Sequence, residues 1–148
     1  MLKNFYRLKR KEDGQSVVEF ALVLPILLMV VLGIMEFGWL FYGNIVMTSS
    51  AREGARTAAI LAGDGKIDDN DKDAIGNIVA NHLSSTSITL VTNYPLVSAS
   101  LNGTPKNLSD IPDGSEVKVT VKGNMTPLVG FFVSNPAVLQ KDATMRRE

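Results

Sequence analysis

Residues 14–47 read GQSVVEFALVLPILLMVVLGIMEFGWLFYGNIVM, and the sixteen residues Phe20–Met35 within them, FALVLPILLMVVLGIM, carry no charge. As a helix rising about 1.5 Å per residue, the uncharged stretch is about 24 Å long. That is slightly short of a hydrocarbon core of about 30 Å. Apolar side chains continue past Glu36 through Phe37, Trp39, Leu40, Phe41 and Tyr42 to Ile45, Val46 and Met47, which completes a tilted or interface-matched span. Trp39 and Tyr42 stand where an aromatic belt is expected.

Upstream lie Lys3, Arg7, Lys9, Arg10 and Lys11, opposed only by Glu12 and Asp13, so residues 1–14 form a basic leader with a net charge of +3. No basic residue stands between Glu36 and Arg52. By the positive-inside bias the leader is expected in the cytoplasm and the C-terminal part outside. A secretory signal peptide would need small residues at a cleavage site soon after Leu32, and Gly-Ile-Met-Glu-Phe offers none. Hydropathy alone leaves open an uncleaved signal anchor.

The whole chain of 148 residues has 15 basic and 15 acidic side chains, which leaves the part after the leader at −3. That is a poor surface for a polyphosphate backbone, so no nucleic-acid partner is expected. The absence of cysteine excludes disulfides, thiolate metal sites and a cysteine nucleophile. With one membrane segment subtracted, the length suits a single domain with a modest core.

At the start of the apolar run, Gly14 lacks a side chain and leaves its backbone open to a protease at the membrane surface. Cleavage after Gly14 would give Gln15 a new α-amino group and make Glu19 the fifth residue, where the helix dipole favours an anion. A carboxylate at the edge of an apolar stretch needs a partner, and a neighbouring subunit's amino terminus would serve. Without cleavage, Glu19 reads as an interfacial carboxylate capping a signal-anchor helix.

Gly14-Gln15-Ser16-Val17-Val18-Glu19-Phe20 resembles the prepilin peptidase motif of glycine, four residues, glutamate and an aromatic. More narrowly, residues 14 to 56 resemble TadE-like proteins, through GQSVVEFALVLPILL, then Gly33, Glu36 and Gly38, then Ala51-Arg52-Glu53-Gly54-Ala55-Arg56. The ending Met145-Arg146-Arg147-Glu148 is similar to the Met-Arg-x-Glu with which such chains often close. The resemblance implies a minor pseudopilin of the tight-adherence (Tad, or Flp) pilus, a type IV pilus-like machine. It further implies cleavage by a prepilin peptidase, with Gly14 the last leader residue, Gln15 the mature terminus, and Glu19 with Phe20 serving processing and assembly.

Within the span, Pro25 removes one helical donor and predicts a kink, or is simply a tolerated transmembrane proline. Glu36 lies seventeen residues beyond Glu19, about 25 Å along a helix. It is either interfacial or pairs with a basic group on a partner subunit.

Farther on, Ser50, Gly54, Ala58 and Ala62 form a stripe of small residues, with Ala51, Ala55 and Ala59 beside it, which permits close backbone approach. It is expected to dock the domain's own sheet, with another pilin's helix as the alternative. Asp64–Asp71 resembles half a calcium loop, but its first and third ligand positions fall on Ile60 and Ala62. It reads better as an acidic turn in which Asp69 or Asn70 caps a helix from about Asp71 to Leu83. His82, the only histidine, has no second imidazole to complete a metal site or triad and reads as partly exposed.

Alternating apolar and polar residues predict strands over 87–92 and 116–122, with another at 96–101 and a last one from about Val138. Asn93-Tyr94-Pro95, Asn102-Gly103-Thr104-Pro105 and Pro112-Asp113-Gly114 are expected turns. Thr126–Val133 is apolar but too short to span, and is expected as a buried turn or loop under the sheet.

These readings combine into an α+β, pilin-like architecture, with a long N-terminal transmembrane helix packed on a small antiparallel sheet and a second short helix. The expected parts are a leader at 1–14, a membrane and extended helix at 15–62, and an extracytoplasmic domain at 63–148. The expected function is a pilus structural or assembly subunit, with no enzymatic activity, cofactor or metal. The alternative is a single-pass envelope protein that binds a partner without entering a pilus. Expected partners are the prepilin peptidase, other pilins or pseudopilins, inner-membrane assembly proteins and the lipid bilayer. The expected location is the bacterial inner membrane.

Overall fold

The structure is a computed structural model that describes the backbone of residues 5–147 and side chains from Gly14 onward. The leader charges at Lys3, Arg7, Lys9, Arg10 and Lys11 therefore lie outside the described side chains.

Helix α1 runs unbroken over Phe5–Leu61, about 85 Å at the usual rise. It passes through Gly14 and beyond the apolar run at both ends. A single helical glycine costs only about 1 kcal/mol relative to alanine, too little to stop a helix flanked by good formers. Pro25 is carried inside it.

A short 3-10 turn, Ala62–Asp64, ends α1 at Gly65, whose φ of 89° suits a residue without a Cβ. Helix α2 follows over Asp69–Leu83. Its cap is Asp68, one residue before Asp69 and two before Asn70, the expected candidates. Asp71 N–H donates to Asp68 Oδ1 at 2.9 Å, and Asp68 N–H donates to Asp71 Oδ2 at 3.0 Å. This reciprocal box satisfies two backbone donors at once, so it prevails over a cap at Asp69 or Asn70.

Five strands follow: β1 (Ile88–Leu90), β2 (Leu96–Leu101), β3 (Thr104–Lys106), β4 (Glu116–Met125) and β5 (Ala137–Arg146). The sheet is antiparallel and organised around β4. One edge of β4 pairs with β2 near its start and β1 near its end, while the other edge pairs with β5 along all ten residues, Glu116↔Arg146 to Met125↔Ala137. The expected turn at 102–105 is tighter than foreseen. Asn102 and Gly103 take positive φ as a two-residue hairpin, which leaves Thr104 and Pro105 to pair with β2. Pro105 is tolerated because β3 is an edge strand.

Along β4 the alternation is regular, with Val117, Val119, Val121 and Met125 buried. They meet Ile75, Val79 and Leu83 of α2, Met47, Ala51, Ala55 and Ala58 of α1, and Ala62 of the 3-10 turn in one core. The outward face of the sheet carries the Lys118–Asp142 ion pair at 2.8 Å.

The overall architecture is thus α+β: a long apolar N-terminal helix, a second helix, and a curled antiparallel sheet. The segment Gly14–Asp64 is long and apolar enough to cross a membrane. Most side chains from Val17 to Met35 are exposed, as a lipid-facing surface would be.

Candidate functional site

At the start of the apolar segment, Gly14, Gln15, Glu19 and Phe20 are all exposed. A Cβ built at Gly14 would meet nothing within 4 Å. Gln15 Nε2 donates to Glu19 Oε1 at 3.2 Å across one turn. The carboxylate therefore stands beside the residue that would become the amino terminus if the chain were cut after Gly14. Helical periodicity places positions i and i+4 on one face, so this juxtaposition follows from spacing alone.

Glu36 is completely buried against its own chain. Val129 N–H donates to Glu36 Oε2 at 2.7 Å, while Oε1 is buried without a hydrogen-bond partner.

The donor comes from the β4–β5 connection, which corrects the expectation for Thr126–Val133. The segment does not lie buried under the sheet, where the core is already filled by α1 and α2. It leaves the sheet's end and descends along α1. Trp39 Nε1 donates to Thr126 O at 3.1 Å, Val129 reaches Glu36, and the Phe132 ring lies against Gly33, where a Cβ would be 3.7 Å from it. Phe131 remains 78% exposed. Trp39, expected in an aromatic belt, therefore holds this loop while still stacking on Tyr42 at 5.9 Å.

The small-residue stripe is occupied from within the chain. Ser50, Gly54, Ala58 and Ala62 are buried, and a Cβ at Gly54 would lie 2.9 Å from Val79 on α2 and 3.2 Å from Val119 on β4. Ser50 Oγ returns its hydrogen bond to Val46 O at 2.9 Å, so the hydroxyl adds no unsatisfied group to the core.

At the far end of α1, the Arg147 side chain is buried among backbone carbonyls. Nη1 donates to Ile111 O, and Nη2 donates to Gly63 O at 3.1 Å and pairs with Asp113 at 2.9 Å. Its fork ties β5 to the 3-10 turn and the 107–114 loop. Arg147 occupies the variable position of the Met-Arg-x-Glu ending, where nothing in the local pattern signals this task.

The acidic turn is engaged locally. Asp64 Oδ1 accepts from Lys66 N–H at 3.3 Å, and Asp68 and Asp71 cap α2. The N–H of Asp71 holds the Asp68 carboxyl below the ordinary aspartate range, and Lys118 does the same for Asp142. Among the described residues, no group of three or more His, Cys, Asp or Glu is placed to hold a metal ion. His82 is exposed on α2.

Fold and site together define a class of protein: a small α+β domain carried on one apolar helix capable of crossing a membrane. Within that class, residues 14–56 match the family model described as TadE-like protein. The matched stretch includes Gly14, Glu19, Glu36 and Gly54, and coincides with the residues that carried the resemblance. No curated protein and no solved structure matches the chain. The TadE-like match suggests a protein associated with the Tad pilus.

Proposed function

We propose that the chain is a minor pseudopilin-like structural or assembly subunit of a Tad (Flp) pilus or related secretion machine, matured by prepilin peptidase cleavage after Gly14. The observation that carries this reading is the TadE-like match over residues 14–56, coincident with the first part of a helix able to span a membrane. The mechanism is assembly rather than turnover. The leader directs insertion with its charges in the cytoplasm, so the domain faces the outside of the inner membrane. Cleavage frees the amino group of Gln15, and the apolar helices associate laterally with other pilins or pseudopilins. The exposed Glu19 carboxylate then serves a neighbouring subunit's terminus, the charge partner a carboxylate needs at the edge of lipid.

The test is the mature N-terminus, determined by mass spectrometry after expression with and without a cognate prepilin peptidase. A terminus at Gln15 that depends on the peptidase supports the pseudopilin reading. An intact leader under both conditions sinks it and leaves a single-pass tether for an envelope partner.

A further inference from the structure

The β4–β5 connection is a place where the chain spends apolar side chains without burying them. From Gly123 to Gln140 no residue is charged, and Leu128, Phe131 and Val138 are each more than half exposed. Two hydrogen bonds, Trp39 to Thr126 O and Val129 to Glu36, fix the loop against α1. From there it descends until Val129, Phe131 and Phe132 share a cleft of about 280 Å³ with Pro25, Leu28, Met29 and Leu32.

The level of that cleft can be compared with any membrane placement of α1. A hydrocarbon core of about 30 Å takes about 20 helical residues. A span beginning at Gly14 ends near Gly33, and one beginning at Phe20 ends near Trp39. Pro25–Leu32 lies inside the hydrocarbon in both, and the loop tip lies beside it. Irregular backbone is costly in lipid because its N–H groups lack water. Here one is satisfied by a carboxylate held at the same depth, and Pro127 and Pro136 have no N–H to satisfy.

We propose that the Thr126–Pro136 loop is a second membrane-embedded element, entering the leaflet on the domain's side with Phe131 and Phe132 among acyl chains and its backbone supported by the buried Glu36. This rests on the reading of α1 as a membrane span. Lipid covers the exposed loop face, because the face is continuous with the exposed apolar surface of α1. The loop thereby gives Glu36 its place: the carboxylate is the loop's anchor at that depth, and the loop shields it from the acyl chains.

Because the native chain has no cysteine, single substitutions Phe131→Cys, Leu22→Cys and Ser109→Cys report position by position. The full chain is reconstituted in phosphatidylcholine–phosphatidylglycerol vesicles at high lipid dilution and treated with a membrane-impermeant maleimide, with rates normalised to Ser109 on the domain surface. Protection of Phe131→Cys and Leu22→Cys by at least about tenfold is expected, since the reacting thiolate is excluded from apolar surroundings. Labelling of Phe131→Cys at the Ser109 rate, with Leu22→Cys protected, overturns the loop assignment and leaves the span intact. Labelling of Leu22→Cys at that rate overturns the span and the loop assignment with it. Protection at Phe131 that disappears as protein is diluted in lipid also overturns the proposal, since the cover is then another subunit's helix.

Discussion

Two buried charged side chains, Glu36 and Arg147, act through backbone groups far away in the sequence. Glu36 accepts from Val129, 93 residues on, and Arg147 donates to Gly63, 84 residues back. Removing Arg147 leaves buried carbonyls without a donor, so Arg147→Ala is expected to lower stability by about 2–4 kcal/mol, read by denaturant unfolding of the full chain in detergent. Arg147→Lys should recover less than half of that loss, because a single ammonium does not reproduce a planar fork. At Glu36 the expected effect is local. Glu36→Leu leaves the Val129 N–H without its acceptor and should speed protease cleavage within residues 126–136 in detergent. Glu36→Gln retains an amide oxygen and should stay close to the native rate.

The elements owe their contacts to small residues and caps. Gly54 stands where α1 meets both α2 and β4, and Gly54→Leu would drive a side chain into Val79 and Val119. Overpacking of this kind costs about 1–3 kcal/mol, which thermal unfolding followed by circular dichroism would register. The cap of α2 predicts a pH dependence. Hydrogen bonding keeps the folded Asp68 pKa below the ordinary aspartate value of 3.8. Its stabilising contribution is therefore complete above that value and is lost as pH falls through the depressed folded one. Asp142, held by Lys118, acts in the same direction. The melting temperature should fall on acidification below about pH 4, and less steeply in Asp68→Asn, since asparagine caps equally well but does not titrate.

At the scale of the whole molecule, the division is between an apolar half of α1 that is exposed and a second half built into a domain core. Residues Val17–Met35 have almost no protein cover except where the β4–β5 loop meets them, whereas Met47, Ala51, Ala55 and Ala58 have no exposure at all. The proposed orientation, with the basic leader on the cytoplasmic side, predicts that the domain is digested by protease added to spheroplasts, leaving a protected fragment that contains the apolar span. Protection of the domain in intact spheroplasts, with digestion after lysis, would instead mean the opposite orientation.

Much of this was readable from local pattern. The apolar run, the every-fourth-residue row from Ser50 to Ala62 and the alternation of Val117, Val119 and Val121 are properties of neighbours along the chain. Helix and strand periods convert them directly into faces. The boundaries of β2 and the existence of α2 came from the same source. Tertiary structure alone decided what covers the small-residue row, where the apolar residues after Thr126 go, and which groups satisfy Glu36 and Arg147. Those partners are set by the β4–β5 register and by a core already filled with α1 and α2 side chains, which sends the 126–136 loop along the helix instead of beneath the sheet. A hydrogen bond between residues more than eighty positions apart leaves no periodic trace in sequence, because nothing in local spacing encodes it.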